Sequence, residues 1–231
     1  MGHVELILNQ KGGIGKSTLT VNLAATTADV LSTGSPDDMS PVAAVSIDPQ
    51  GSAVWWADRV AALPFHIIQA HDDIEGLRSM GNLAGIEHVF VDTPGWIGTD
   101  TNDLGDGAAG KALEAALDVA NHVLVPIEPE VLGFDPTART IERIVKPRGL
   151  DFLVVINNWD PRDGTTDLDQ TKEFVRANGW PLANTVVRHY KVHTRAAAEG
   201  LVVTEYPKNR VSMEARQDFQ RLALELKAGG R

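Results

Sequence analysis

Short runs of consecutive Val, Ile, Leu and Phe alternate along the chain with longer stretches whose apolar residues recur every three or four positions. Continuous apolar runs suit strands buried on both faces, and the longer period suits helices that cover them. The pattern predicts strands at Val4–Asn9, Val42–Ile47, Phe65–Gln69, His88–Val91, His122–Ile127, Asp151–Ile156 and Asn184–Arg188. Between them it predicts helices at Ser17–Leu31, Ser52–Leu63, Ile74–Leu83, Ala108–Ala120, Pro136–Val145 and Leu168–Ala177, with a last one at Ser212–Lys227. Pro36, Pro41, Pro64, Pro147 and Pro181 fall at the breaks, where a missing N–H does least harm. Strands and helices in alternation predict an α/β fold, a doubly wound and mostly parallel sheet with helices on both faces. The polar stretch Ser32–Ser40 is too short to divide domains and no repeat is visible, so residues 1–231 read as a single domain.

Composition narrows the chemistry. The 231 residues include no cysteine, which excludes a disulfide framework, a thiolate zinc site, a Cys-held iron–sulfur cluster and a cysteine nucleophile. Carboxylates, Lys, His, hydroxyls and backbone must carry any reaction. The first residues hold one strand's worth of apolar side chains and no basic leader, and no run of 18 apolar residues occurs, so a cytoplasmic protein with no membrane contact is expected. The formal charge of −10 argues against a uniform nucleic-acid coat. The imbalance is local, however. Residues 1–187 carry 12 Lys/Arg against 26 Asp/Glu, whereas residues 188–221 carry 7 against 4.

The first strand runs into Asn9-Gln10-Lys11-Gly12-Gly13-Ile14-Gly15-Lys16-Ser17-Thr18. A glycine-rich turn between a buried strand and a helix aims successive backbone N–H groups inward, and the helix N-terminus adds partial positive charge, so the loop cradles phosphates. In such a loop Lys16 reaches the β and γ phosphates and the Ser17 hydroxyl holds Mg²⁺. The first Gly of the usual G-x-x-x-x-G-K-[ST] pattern is Gln10 here, and a second lysine, Lys11, follows it.

Lys-Gly-Gly-x-Gly-Lys-Ser is the deviant form of this loop, and with it the sequence resembles the ParA/MinD group of ATPases. The resemblance implies ATP and Mg²⁺ as ligands, with Lys11, Gly12, Gly13, Ile14, Gly15, Lys16, Ser17 and Thr18 around the nucleotide. It also implies a homodimer when ATP is bound, because Lys11 crosses to the partner's phosphates and so makes dimerisation depend on ATP. Ser46-Ile47-Asp48-Pro49-Gln50-Gly51-Ser52 resembles the family's D-x-D-P-Q-G-[NS] segment, with Asp48 positioning the attacking water and meeting the metal shell. The usual first Asp is Ser46, and Asp48 also fits a plain Asp-Pro turn. The fourth strand delivers Asp92-Thr93-Pro94-Gly95, the Walker B arrangement, in which Asp92 orders Mg²⁺ through water and the Gly95 N–H senses the γ-phosphate. The stretch Trp96–Gly110 reads as a mobile switch region or as mere solvated acidity. At the end of the sixth strand Asn157 is either an adenine contact or a turn former.

The likeness extends to Val125-Pro126-Ile127-Glu128-Pro129, to Ala196-Ala197-Ala198-Glu199-Gly200 and to Glu205-Tyr206-Pro207-Lys208-Asn209-Arg210. In ParA proteins basic residues of this last region bind DNA nonspecifically, which makes Arg188, Lys191, Arg195, Lys208 and Arg210 the DNA-binding candidates. The absence of cysteine excludes the iron–sulfur carriers of the superfamily, and two tyrosines exclude a tyrosine-cluster autokinase. Ala215, Phe219, Leu222 and Leu226 form one narrow stripe that suits a docked helix better than a membrane anchor. With three residues before Val4, no helix-turn-helix is expected. What the resemblance implies is a small ParA: a slow, partner-stimulated ATPase on the nucleoid that drives plasmid or chromosome partition with a ParB-like centromere-binding protein. Two alternatives stay open, a positioning ATPase for a non-DNA cargo such as a microcompartment, and a P-loop amide ligase or dethiobiotin-synthase-like enzyme. Trp55 and Trp56 either line the pocket of such a ligase or pack on one side and rim an interface on the other.

Overall fold

Seven strands form one parallel sheet: β1 (His3–Ile7), β2 (Val42–Ser46), β3 (His66–Gln69), β4 (His88–Asp92), β5 (His122–Ile127), β6 (Phe152–Trp159) and β7 (Leu182–Arg188). Their order across the sheet is β3-β2-β4-β1-β5-β6-β7. The computed structural model describes residues 1–32, 39–95, 104 and 107–229. Every predicted strand is present, and β6 runs three residues past its expected end. The chain builds outward from β1 through β2 to β3, returns as β4 beside β1, then continues on β1's other side as β5. That reversal puts the carboxyl end of β1 at the switch point, where an open α/β sheet has a crevice for ligands.

The helices are α1 (Lys16–Leu31), α2 (Ser52–Ala57), α3 (Ile74–Ser79), α4 (Ala108–Val119), α5 (Phe134–Arg139), α6 (Thr166–Ala177), α7 (Lys191–Glu199) and α8 (Arg210–Lys227). Alternation along β1 explains the two layers. Val4, Leu6 and Leu8 pack into an apolar cluster with α3, α4 and α6, while Ile7 joins a second cluster with α1, α2, α7 and α8. Glu5 shares the Ile7 face and is 3% exposed. It is tolerated there because His122 Nδ1 lies 2.8 Å and His3 Nε2 3.5 Å from its oxygens. Burial works to raise its pKa, but the bonds to the two histidines outweigh it and leave the carboxyl below its ordinary range.

Four expectations needed correction, the first being the helix predicted to reach Leu83, which is α-helical only to Ser79 and ends in a 3₁₀ turn at Met80–Asn82. The helix predicted to reach Leu63 stops at Ala57, where the chain turns so that β3 can pair with β2. The helix predicted over Pro136–Val145 is α-helical only to Arg139, with Thr137 buried in it, and continues as a π-helical turn at Thr140–Val145, whose first residue, Thr140, is buried as well. Helix α7 was not expected; it forms with His193 and Ala196 buried against the α8 layer.

Candidate functional site

The loop after β1 is fixed at its start by side chains. Asn9, 1% exposed, donates from Nδ2 to the Pro126 carbonyl and to the Thr137 hydroxyl, both at 2.8 Å, and its Oδ1 accepts the Lys11 N–H at 2.9 Å. The Gln10 N–H donates to Thr140 Oγ1 at 3.0 Å. The buried threonines of α5 and of the π-helical turn that continues it therefore have a use: their hydroxyls hold the loop. The loop's end depends on Gly15, whose φ of +83° begins α1 in the left-handed region. A Cβ on Gly15 would stand 2.6 Å from Asn157 Nδ2, so the position admits only glycine. With Gly15 as its N-cap, α1 starts with no side chain claiming its first N–H groups, which is the condition for a phosphate cradle.

Four charged or polar groups converge on this cradle. Lys16, 6% exposed, donates from Nζ to the Lys11 carbonyl at 3.0 Å. Burial lowers its pKa, against the attraction of Asp92 and Asp48. Ser17 donates its hydroxyl to Asp92 Oδ2 at 2.9 Å. Asp92 is fully buried, and its other oxygen has no hydrogen-bond partner among the described residues. Burial, with the charge of Asp48 adding to it, pushes the Asp92 carboxyl up to about 7, against the pull of the Ser17 hydrogen bond and of Lys16. Asp48 lies in the segment between β2 and α2, where its Oδ1 accepts the Gln50 N–H at 2.9 Å. The Asp-Pro turn is thus real, and the same carboxylate acts on Lys16 and Asp92 through space. Ser46 pairs in register with Asp92 across β2 and β4, and its hydroxyl is buried without a partner among the described residues. Thr93 anchors the end of β4 by donating to the Ile7 carbonyl at 2.7 Å. Gly95 then passes against the loop, where a Cβ would stand 2.8 Å from the Gly12 Cα. A buried carboxylate with an idle oxygen beside a serine hydroxyl fits a divalent cation that takes its remaining ligands from phosphate and water. No group of three or more His, Cys, Asp or Glu among the described residues is placed to hold a metal by itself.

Residues 6–222 match the family model described as the CobQ/CobB/MinD/ParA nucleotide binding domain. The chain belongs to this family. A family member from Gloeobacter kilaueensis, "Maintenance of carboxysome distribution protein A", is 35% identical over 227 residues, covering 97% of this chain and 94% of that protein. Among solved structures the fold is shared with the MinC:MinD cell division protein complex of Aquifex aeolicus, with a TM-score of 0.73 at 15% identity over 98% of this chain and 96% of that one. It is shared as well with a Cyanothece McdA–ATP complex, with a TM-score of 0.64 at 15% identity over 96% of each chain. The P-loop, Asp48 and Asp92 thus sit on the family's nucleotide-binding fold.

The structure gives several predicted residues neighbours that the motif alone does not disclose. Lys11 does not extend freely; its Nζ lies 2.9 Å from both Glu128 Oε2 and Glu130 Oε2. Asn157 donates from Nδ2 to the Ile14 carbonyl at 2.6 Å and so braces the P-loop. Trp56 is buried and donates to the Leu201 carbonyl at 3.0 Å, whereas Trp55 is 48% exposed, with the Arg59 guanidinium 3.6 Å from its ring centre. Both tryptophans line a cleft of about 410 Å³ with Ser17, Thr18, Gln50 and His193. Of the proposed DNA-binding residues, Lys191 and Arg195 are exposed on α7, Lys208 is exposed just before α8 and Arg210 at its first residue. Arg210 pairs with Glu214 one turn on, at 3.0 Å. Arg188 differs from these four, because its guanidinium grips Asp218 through Nε at 2.8 Å and Nη2 at 2.7 Å and so ties β7 to α8. Of the expected switch region, residues 96–103 and 105–106 lie outside the described residues. Sequence reasoning missed Asn9, Thr137, Thr140, Glu128, Glu130 and Asn158. For Glu128, Glu130, Thr137 and Thr140 the one signal was polar residues set among apolar ones after β5; Asn9 and Asn158 stand at the ends of apolar strand runs.

Proposed function

We propose that this chain hydrolyses Mg·ATP as an ATP-dependent homodimer and uses the cycle to position a non-DNA cargo, with a protein adaptor on that cargo in the place a ParB-like protein takes in DNA partition. The observation that carries the reading is the 35% identity, over nearly the whole chain, to a protein named for the distribution of carboxysomes. Bound magnesium would draw charge from the phosphate oxygens. Lys16 is held dry and pinned by the Lys11 carbonyl, so its ammonium meets phosphate charge in a low-dielectric setting that strengthens the attraction. Ser17 and Asp92 supply the metal side of the site, directly and through water, and Asp48 holds the attacking water. Lys11 completes the phosphate cage of the partner subunit, and Asn157 is the adenine contact that the family resemblance implies. With no strong base beyond Asp48, turnover is slow until the adaptor docks. The exposed Lys191, Arg195, Lys208 and Arg210 give the dimer a salt-sensitive, sequence-independent hold on nucleoid DNA as a track, with Arg188 supporting them from behind. No described helix is long and apolar enough to cross a membrane.

The test pairs a cell with a binding assay. Lys16→Ala is expected to lose fluorescent-ATP binding. In the source cell it is expected to make large protein-bounded bodies clump in electron cryotomograms while plasmids are retained at the wild-type rate. Plasmid loss with evenly spaced bodies would return the reading to DNA partition. ATP turnover that requires a small carboxylic acid would turn it to an amide ligase.

A further inference from the structure

Lys11 has a docking place within its own subunit. Glu128 and Glu130 come from the turn that follows β5, Glu128-Pro129-Glu130, which closes through the Glu130 N–H to the Glu128 carbonyl at 2.7 Å and the Gly133 N–H to the Glu130 carbonyl at 2.9 Å. Gly133 leaves room beside that turn: a Cβ there would lie 3.8 Å from both Lys11 Cδ and Nζ, so the lysine stem packs along it. Each carboxylate reaches the ammonium at 2.9 Å. The Lys11 and Glu128 side chains are only 20% and 15% exposed, so that arm of the pair is shielded, while Glu130 at 60% faces solvent. Burial works to lower the Lys11 pKa, and the hydrogen bonds to Glu130 and Glu128 outweigh it, so the ammonium stays charged where it is held. Glu128 has a second task. Its Oε1 accepts from Asn158 Nδ2 at 2.7 Å, and Asn158 sits in the left-handed region at φ 61°. The neighbouring Asn157 holds the Ile14 carbonyl. One carboxylate therefore links Lys11 to the strand end that braces the P-loop.

We propose that Glu128 and Glu130 are positioning residues that hold Lys11 in cis, so that each subunit must give up this pair before its lysine serves a partner subunit's phosphates, and that this competition sets the protein concentration at which the ATP dimer forms. The proposal rests on the reading of the chain as an ATP-dependent dimeriser. An ammonium has three donors in one compact head and cannot meet two carboxylates here and phosphates across an interface at once. A partly exposed pair of this kind holds its lysine by about threefold, and two subunits release two such pairs, so the pair weakens dimerisation by about tenfold.

Sedimentation with Mg²⁺ and a non-hydrolysable ATP analogue tests this on wild type, Glu130→Gln, Glu128→Gln/Glu130→Gln and the surface control Glu173→Gln. Glu130→Gln is expected to lower the dimer Kd by about three- to tenfold, with Glu173→Gln unchanged. In the ATPase assay it should lower the protein concentration for half-maximal activity while leaving kcat per dimer the same. An unchanged or weaker dimer in Glu130→Gln, with the same melting temperature as wild type, overturns the competition and leaves the dimeriser reading intact. A wild type that stays monomeric with the analogue overturns both.

Discussion

Replacing Asp92 by Asn should stabilise the nucleotide-free protein at alkaline pH, although it removes a residue of the nucleotide site. Asp92 is fully buried, one of its oxygens has no partner, and Asp48 adds like charge, so its carboxyl titrates at about 7 in the folded chain against 3.8 in the reference state. A carboxyl whose pKa is raised on folding contributes stability that is complete below pH 3.8 and is lost as pH climbs through 7. A difference of that size is worth about 4 kcal/mol once both states are ionised, and about 2–3 kcal/mol of it is lost between pH 5 and pH 8. Asn has nearly the same shape and keeps an oxygen to accept the Ser17 hydroxyl, but it carries no charge to desolvate. The expected gap between Asp92→Asn and wild type therefore widens by about 2–3 kcal/mol from pH 5 to pH 8, or roughly 4–12 °C in melting temperature for a domain of this size. Urea unfolding of both proteins in EDTA at the two pH values measures it. A gap that stays constant with pH, or a wild type that is the more stable at pH 8, would show that the carboxylate finds its counter-charge within the protein. If the reasoning holds, adding Mg²⁺ and nucleotide raises the melting temperature of the wild type and leaves that of the variant behind, since the site's built-in charge is what a cation relieves.

Two other perturbations separate structural from functional roles. Arg188→Ala should cost about 2–3 kcal/mol in chemical denaturation, because Asp218 is left buried without its partner, while DNA retention in a salt series changes less than in Lys208→Ala; the reverse ranking would make Arg188 a phosphate ligand after all. His193 is held neutral, chiefly by burial with the charge of His189 adding, at a pKa of about 4 against 6.5; the stability this gives is present above pH 6.5 and is lost as pH falls toward 4. His193→Gln should flatten that acid limb by about 2–3 kcal/mol, and an unaltered limb in the variant would place the acid sensitivity elsewhere.

Much of the candidate site could be read along the chain because its parts are local. The strand–loop–helix passage from Val4 to Leu31 carries its own geometry, with Gly15 needed wherever such a loop enters such a helix, and Lys16 and Ser17 follow it in covalent sequence. The strand endings at Asp48, Asp92 and Asn157 were legible for a similar reason, since each apolar run predicts where the sheet delivers its next polar residue. The remainder depends on distance in space between residues far apart in sequence. Asn9 meets Thr137 from 128 positions away because β5 and the helix after it lie beside β1, and apolar period gives no hint of which threonine of that helix turns inward. Arg188 looked like the other basic residues until α8 brought Asp218 to it. Lys11 is the sharpest case. Motif spacing shows that a second lysine is present, but its partners Glu128 and Glu130 reach it only because β5 pairs with β1, and burial then decides how strongly they hold it. A sequence states which charges exist; desolvation and partner distance, which set what those charges do, arise only when the strands are side by side.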